Sequence, residues 1–349
     1  MSYVLLFSEI KPMNLEIVGL KAGTLASIFA KQKVPSGFVM TTIGYKYFLE
    51  NTKIKEKISE SLSRLKKDNT QEIANEIQKL IVETSFPEEL SSMIIESYLS
   101  LETSENISVQ ELLNAKEAKA NVAIRSSYNY DLKDIEQLHL SILNIKGENN
   151  LLTAIKLVFA AEYTAKNLAH RKESGKNLES NISVIVQKMI NADKSIFVYT
   201  ADSSDIIIKA VFGLGEGLSD KNIVCDEYKV EKVGLKIKEI SVKKQSRKYE
   251  IGKNGKIEKI SMGNIGKIQK LSETEIIKAV KISNEFSADK ILEIAVASED
   301  FYIIDVKDNA KFKEKDNLKI EVYETTPLED KPKSNEDESI KEEFLLYDS

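Results

Sequence analysis

The chain has 349 residues, of which 42% are hydrophobic and 30% charged, with a formal net charge of −5. That supplies enough apolar side chain for a large core divided over two domains, and the acidic balance offers no general field for a phosphate backbone, so a nucleic-acid partner is not expected. One cysteine, Cys225, excludes an internal disulfide framework, and two histidines, His139 and His170, leave nothing from which to build a Cys/His zinc site.

The opening MSYVLLFSEIKPMNLE has neither a basic leader nor a sustained apolar stretch. No apolar run approaches the ~20 residues that span a bilayer, so a cytoplasmic protein with no membrane partner is expected. Apolar residues recur at helical spacing from 54 to about 98, with Pro87 opening the run EELSSMIIESYL, where its missing N–H costs little. A further helix is expected between 108 and 118. ANVAIRSS then changes to a period of two and reads as a strand with Arg125 at its exit, followed by a long helix over 149–172.

The second half is expected to be mostly strand: ISVIVQKMI, SIFVYTAD, DIIIKAVFG and LKIKEISVKK are rich in β-branched residues. One helix, 273–286, interrupts them. KILEIAVA and DFYIIDVK then form a hairpin turning across 298–300. Helices first and sheet later give an α+β class. Residues 326–349 are charged and poor in apolar side chains until FLLY near the end, and read as an acidic, disordered tail.

Four places carry chemistry. In IVGLKAGTL, Gly19 and Gly23 bracket Lys21 just before a helical run, which serves either to bring an ammonium and backbone amides to phosphate oxygens or as a solvated helix start; the spacing is not that of a Walker A loop. Arg125 is one of only four arginines against a large excess of lysine, so it stands either in a salt bridge or as a bidentate phosphate clamp at a cleft edge. In FGLGEG, Glu216 lies among three glycines, as in a plain turn or a loop that lets backbone approach a ligand. Glu293 and Asp305 sit on adjacent predicted strands; on one face they share a Mg²⁺, and alternation leaves open whether they do.

These segments, in this order, resemble the N-terminal nucleotide-binding domain of the phosphoenolpyruvate synthase and pyruvate phosphate dikinase family, which includes rifampin phosphotransferase. NLEIVGLKAGTLASIFAKQKVPSGFVMTTIGYKYFL is similar to the family's GGKxxxL and VPxGFxxT opening. VAIRSS is similar to VAVRSS, VIVQKMINADKSIFVYTADS to VQxMVxxxxSGVxFTxDP, FGLGEGL to the GLGE loop, and KILEIAVASEDFYIIDVK to DIEWAxxxxxLYILQSRP. The resemblance implies an ATP-grasp fold in which two α+β subdomains, 1–180 with a helical insertion and 181–325, enclose a MgATP cleft. It implies that Lys21 and Arg125 bind phosphate and act in catalysis. Gln187, Lys188 and Met189 then lie beside the base, Glu216 and Lys307 contact the nucleotide, and Glu293 with Asp305 holds the metal.

The sequence departs from the family pattern in four places. Leu20 replaces the second glycine of GGK, the lid stretch YNYDLKDIEQLH has no glycine, Asp305 replaces glutamine, and Lys307 replaces arginine. No segment of these 349 residues resembles the family's phosphohistidine motif. The resemblance therefore implies an ATP-dependent phosphotransferase component that acts with a separate phosphohistidine-domain protein, or alternatively a catalytically degenerate nucleotide- or partner-binding regulator or scaffold.

Overall fold

The computed structural model describes residues 2–103, 120–129, 140–200, 204–252, 255–308 and 322–324. The expected helix at 108–118, His139 and the tail 326–349 lie outside the described residues. The fold is α+β, with helices concentrated in the first half and strand in the second.

The first sheet contains β1 (Val4–Leu6), β2 (Gly37–Met40), β3 (Val122–Ser127), β4 (Ser141–Ile145) and β5 (Ser183–Lys188), completed by Val322–Glu324, the fourteenth strand (β14). Its order is β1-β2-β5-β3-β4-β14, and all neighbours are antiparallel except β14, which runs parallel to β4. Alternation along the strands sorts the side chains. Phe38, Met40, Val122, Ile124, Val184 and Val186 turn to one face and pack against helices α2 (Thr42–Asn51), α3 (Ile54–Ser63), α4 (Thr70–Glu83), α5 (Glu88–Thr103), α6 (Glu148–Ala161) and α7 (Ala165–Glu173). Ala123, Arg125, Ile185 and Gln187 turn to the other face, where α1 (Leu15–Phe29) packs through Val18, Ala22 and Leu25.

The single helix expected over 149–172 is two. Thr164 adopts an extended backbone (φ −64°, ψ 152°), and its hydroxyl accepts the Asn167 N–H, so a second helix starts with its own N-cap. The break lets Arg171 fold back on the buried Glu162, Nη2 to Oε2 at 2.6 Å.

The second sheet is built from β6 (Lys194–Thr200), β7 (Asp205–Phe212), β8 (Asp226–Glu231) and β9 (Ile237–Ser241). A separate antiparallel ribbon, β10 (Arg247–Ile251) with β11 (Ile257–Ser261), follows, and β12 (Lys290–Ala297) and β13 (Asp300–Asp308) return to the sheet. Its order is β13-β12-β6-β7-β8-β9, antiparallel throughout. One face buries Ile196, Val198, Ile208, Leu292, Ile294 and Ile303 in a core shared with α1 and helix 273–283.

β5 lies beyond the 180/181 boundary expected from the sequence, yet it sits between β2 and β3 in the first sheet. Its residues Ser183–Gln187 are buried on both faces, so its pattern carries no solvent side from which a sheet could be assigned. The chain leaves the first sheet after Lys188 and rejoins it at Val322. No helix among the described residues is long and apolar enough to cross a membrane.

Candidate functional site

Lys21 is placed by a broken helix. α1 is interrupted at Gly19 (φ 79°, ψ 165°), so Lys21 stands in the first turn of the resumed helix rather than ahead of it. The break is forced by close approach to the end of β3, since a Cβ on Gly19 would lie 2.5 Å from Ser127 Oγ and 2.6 Å from Tyr128 N. Leu20 N–H donates to the Tyr128 carbonyl (2.6 Å) and Ala22 N–H to Ser127 Oγ (3.2 Å). Those two amides are thus occupied by the protein itself, while the Lys21 side chain reaches out to Asp305 on the second sheet.

Arg125 and Gln187 share the face of the first sheet that looks toward the second, with Ala123 opposite Gln187 and Ile185 opposite Arg125 in the register. Arg125 Nη1 donates to the Ile304 carbonyl of β13 (3.0 Å), joining the two sheets. Its Nε and the Nε2 of Gln187 are both buried without a hydrogen-bond partner. An unsatisfied buried donor costs about 1–3 kcal/mol, so these two, on one face of the sheet, are open to an acceptor from outside the chain.

The β12–β13 hairpin supplies the carboxylates, and a bulge sets their direction. From Ala297–Asp300 to Ile294–Ile303 the register is uniform, but the next pair is Glu293 with Asp305, leaving Ile304 as the extra residue. Phe301 and Ile303 face the apolar core, and without the extra residue Asp305 would follow them there. The bulge instead turns Asp305 and then Lys307 to the side of Glu293, and it releases the Ile304 carbonyl that Arg125 takes.

The resulting cluster is compact. Lys307 Nζ lies 3.1 Å from Glu293 Oε2 and 3.4 Å from Asp305 Oδ2, and Lys21 Nζ lies 3.5 Å from the same Asp305 oxygen. The Asp305 side chain is 3% exposed, against 18% for Lys21 and 30% for Lys307. Burial by itself would raise the Asp305 pKa, but Lys21, Lys307, Arg125 and the Val306 N–H together hold it well below the usual carboxylate range. Burial pulls Lys21 down, helped by Lys307 and Arg125 and opposed by Asp305 and Glu293. For Lys307 burial also acts downward, but Glu293 and Asp305 prevail and raise it.

The glycine loop closes the cluster from behind. A Cβ on Gly215 would lie 2.9 Å from Glu293 Oε1, so the loop backbone rests against that carboxylate, and Glu216 begins a four-residue helix, α8 (Glu216–Ser219), one residue later. The loop is held by residues to which sequence reasoning assigned no role. Gln245, fully buried, accepts the Phe212 N–H (2.9 Å) and donates to the Phe212 and Arg247 carbonyls, while Ser195 Oγ donates to the Gly213 carbonyl (2.8 Å). Gln245 lies in a lysine-rich stretch with no apolar pattern around it, so only its burial reveals it. Met189 packs with Ala123, Leu143, Leu214 and Ala295 in a small apolar cluster between the sheets. Lys188 pairs with Val122 and by alternation lies on the opposite face from Gln187, away from Arg125.

Lys21, Arg125, Glu293, Asp305 and Lys307 are therefore brought together from four separate segments, with Gln187 and Met189 on the adjoining wall. Among the described residues no group of three or more His, Cys, Asp or Glu is placed to hold a metal. Two carboxylates beside three cations suit an ion that is shared with ligand phosphates, as Mg²⁺ is when it keeps only one or two protein carboxylates.

Comparison with known proteins covers the same segments. Residues 15–325 match the family of the pyruvate phosphate dikinase AMP/ATP-binding domain. A probable phosphoenolpyruvate synthase of Methanocaldococcus jannaschii is 29% identical over 68% of this chain and 20% of its own length. The phosphoenolpyruvate synthase of Helicobacter pylori is 32% identical over 67% of the chain and 30% of its own length, and that of Aquifex aeolicus is 30% identical over 66% and 28%. The chain thus spans about a fifth to a third of the length of these relatives. With the matched region running from the broken helix that carries Lys21 past the hairpin that carries Asp305, the chain belongs to the pyruvate phosphate dikinase AMP/ATP-binding domain family.

Proposed function

We propose that the cleft binds MgATP and that the chain is the ATP-binding component of a phosphotransfer system whose phosphohistidine domain lies on a separate protein. The observation that supports this reading is the pair of unpartnered buried donors, Arg125 Nε and Gln187 Nε2, on the one face of the first sheet from which Arg125 reaches the Ile304 carbonyl beside Asp305. Lys21, Arg125 and Lys307 are placed to offset triphosphate charge, which in phosphoryl transfer is the main task of a protein. Glu293 and Asp305 are the carboxylates available to Mg²⁺, which when bound supplies charge neutralisation across the phosphates. Gln187 and Met189 line the side where a base fits, and Glu216 orients the nucleotide or the incoming nucleophile. Lys188 is left out of this set, because its side chain lies on the opposite face and its N–H is taken by the Ser36 carbonyl.

Calorimetry with ATP and Mg²⁺ tests the binding, with saturation at sub-millimolar nucleotide as the expected result and silence at millimolar nucleotide as the result that rejects it. Turnover is tested by adding a histidine-domain chain from the same organism. Phosphohistidine on that chain with release of AMP or ADP is expected, and the ATP-binding chain alone is nearly silent, because water lacks the alignment that supplies ~7–11 kcal/mol of the barrier. A second reading, a nucleotide-binding regulator without turnover, draws on the lack of any glycine in residues 128–139. Binding without transfer under every pairing selects it.

A further inference from the structure

Asp305 is arranged unlike an ordinary salt-bridge partner. One oxygen, Oδ1, is fixed by the Val306 N–H at 2.9 Å, which leaves Oδ2 facing Lys307 at 3.4 Å and Lys21 at 3.5 Å. These distances are longer than the 2.7–2.9 Å of a charge-assisted hydrogen bond, so the carboxylate attracts both ammoniums without binding either tightly. It also lies beneath them, being the most buried of the three side chains. A phosphate reaching the cluster from the open side meets the same two ammoniums from the opposite direction.

Charge makes this geometry consequential. Lys21, Arg125 and Lys307 against Glu293 and Asp305 leave the cluster with a net charge of +1, too little for a tetra-anionic triphosphate and better matched to a triphosphate that brings its own divalent cation. We propose that Asp305 is an internal counter-anion, which competes with phosphate for Lys21 and Lys307 and thereby makes nucleotide binding depend on a divalent cation. Glu293 and Asp305 are the residues that would hold such a cation, and with both carboxylates so engaged Lys21 and Lys307 would be left to the phosphates. This inference rests on the reading of the cleft as a nucleotide site, and it goes further by assigning to one residue the coupling between metal and nucleotide.

The test measures equilibrium binding of inorganic triphosphate and of ATP to the full chain, in EDTA and in Mg²⁺, for the unmodified protein and for Asp305→Asn, with a melting curve of each. The Asn variant is expected to bind triphosphate and ATP in EDTA about ten- to a hundred-fold more tightly than the unmodified chain, and to gain less from Mg²⁺. Unchanged or weaker binding in EDTA, with MgATP binding retained, overturns the proposal and leaves Asp305 a metal ligand or a scaffold. If the Asn variant melts below the assay temperature, the unmodified chain decides alone: weak triphosphate binding in EDTA and a gain of at least about a hundred-fold for ATP with Mg²⁺ support the proposal, whereas equal affinity in the two conditions overturns it. Failure of the unmodified chain to bind MgATP at all removes the nucleotide reading itself and this inference with it.

Discussion

Gly19 shows how much one residue settles. Its left-handed φ and the 2.5 Å approach to Ser127 Oγ leave no room for a side chain, so Gly19→Ala is expected to cost about 1–3 kcal/mol in urea unfolding and to weaken nucleotide binding by displacing Lys21. Its importance was legible beforehand as a glycine two residues ahead of a lysine in a segment similar to GGKxxxL, but the break was not, because the apolar spacing of LEIVGLKAGTL continues straight through it. The resemblance brings Asp305 and Lys307 to one cleft with Lys21 and Arg125, but their direct pairing with one another was not legible, since it arises only through tertiary packing. The same holds for Lys270 and Asp226, both fully buried, with Lys270 Nζ 2.8 Å from Asp226 Oδ1 and Asp226 Oδ2 also accepting the Tyr228 hydroxyl. Nothing in their local sequence marks them as a pair. Lys270→Met leaves a buried carboxylate without its cation, and a loss of about 3–5 kcal/mol in chemical denaturation is the expected outcome.

Among the elements, the β12–β13 hairpin is legible in the sequence in both place and turn, whereas strand alternation alone leaves the face of Asp305 undecided. The bulge that decides it has no signature in DFYIIDVK, where every neighbour is an acceptable strand residue. Parity gives a sharp expectation. Inserting one alanine between Ile304 and Asp305 directs Asp305 and Lys307 toward the apolar face with Phe301 and Ile303, so nucleotide binding is lost and the melting temperature falls steeply. Inserting two alanines restores the face and is expected to recover most of the stability; equal damage from both insertions would sink the parity account. β8, β10 and β11 were not anticipated as strands because DEYKVE, RKYEI and IEKIS interleave charges with few apolar residues, which suits half-exposed strands but resembles loop. The undivided helix over 149–172 was the converse error, since Thr164 breaks it through its own backbone and hydroxyl while the apolar spacing runs on.

At the scale of the whole molecule, the carboxylates set an acid limit on stability. Burial would raise Asp220, yet Lys259, the Asn222 N–H and the Tyr249 hydroxyl bring it down to about 2 from an ordinary 3.8. A carboxyl depressed in the folded state binds protons more readily when unfolded, so its contribution is complete above about pH 4 and vanishes as the pH falls through 2. Asp220→Asn is therefore expected to cost about 2 kcal/mol at pH 7 and almost nothing at pH 2, as read from denaturation midpoints across that range. The α+β class and the helix-then-sheet order were legible from periodicity, whereas the point at which the chain changes sheets was not, because β5 is apolar on both faces. That point has a mechanical consequence. β1 and β14 are the two outer strands of the first sheet, and the second sheet is spliced into the chain between β5 and β14. If the molecule is pulled between Val4 and Glu324, load enters the first sheet at both rims, and the second sheet carries no tension until β14 has torn from β4. In a force-extension trace the second sheet is thus the slack behind a latch, and its rupture comes after that of the β4–β14 pair.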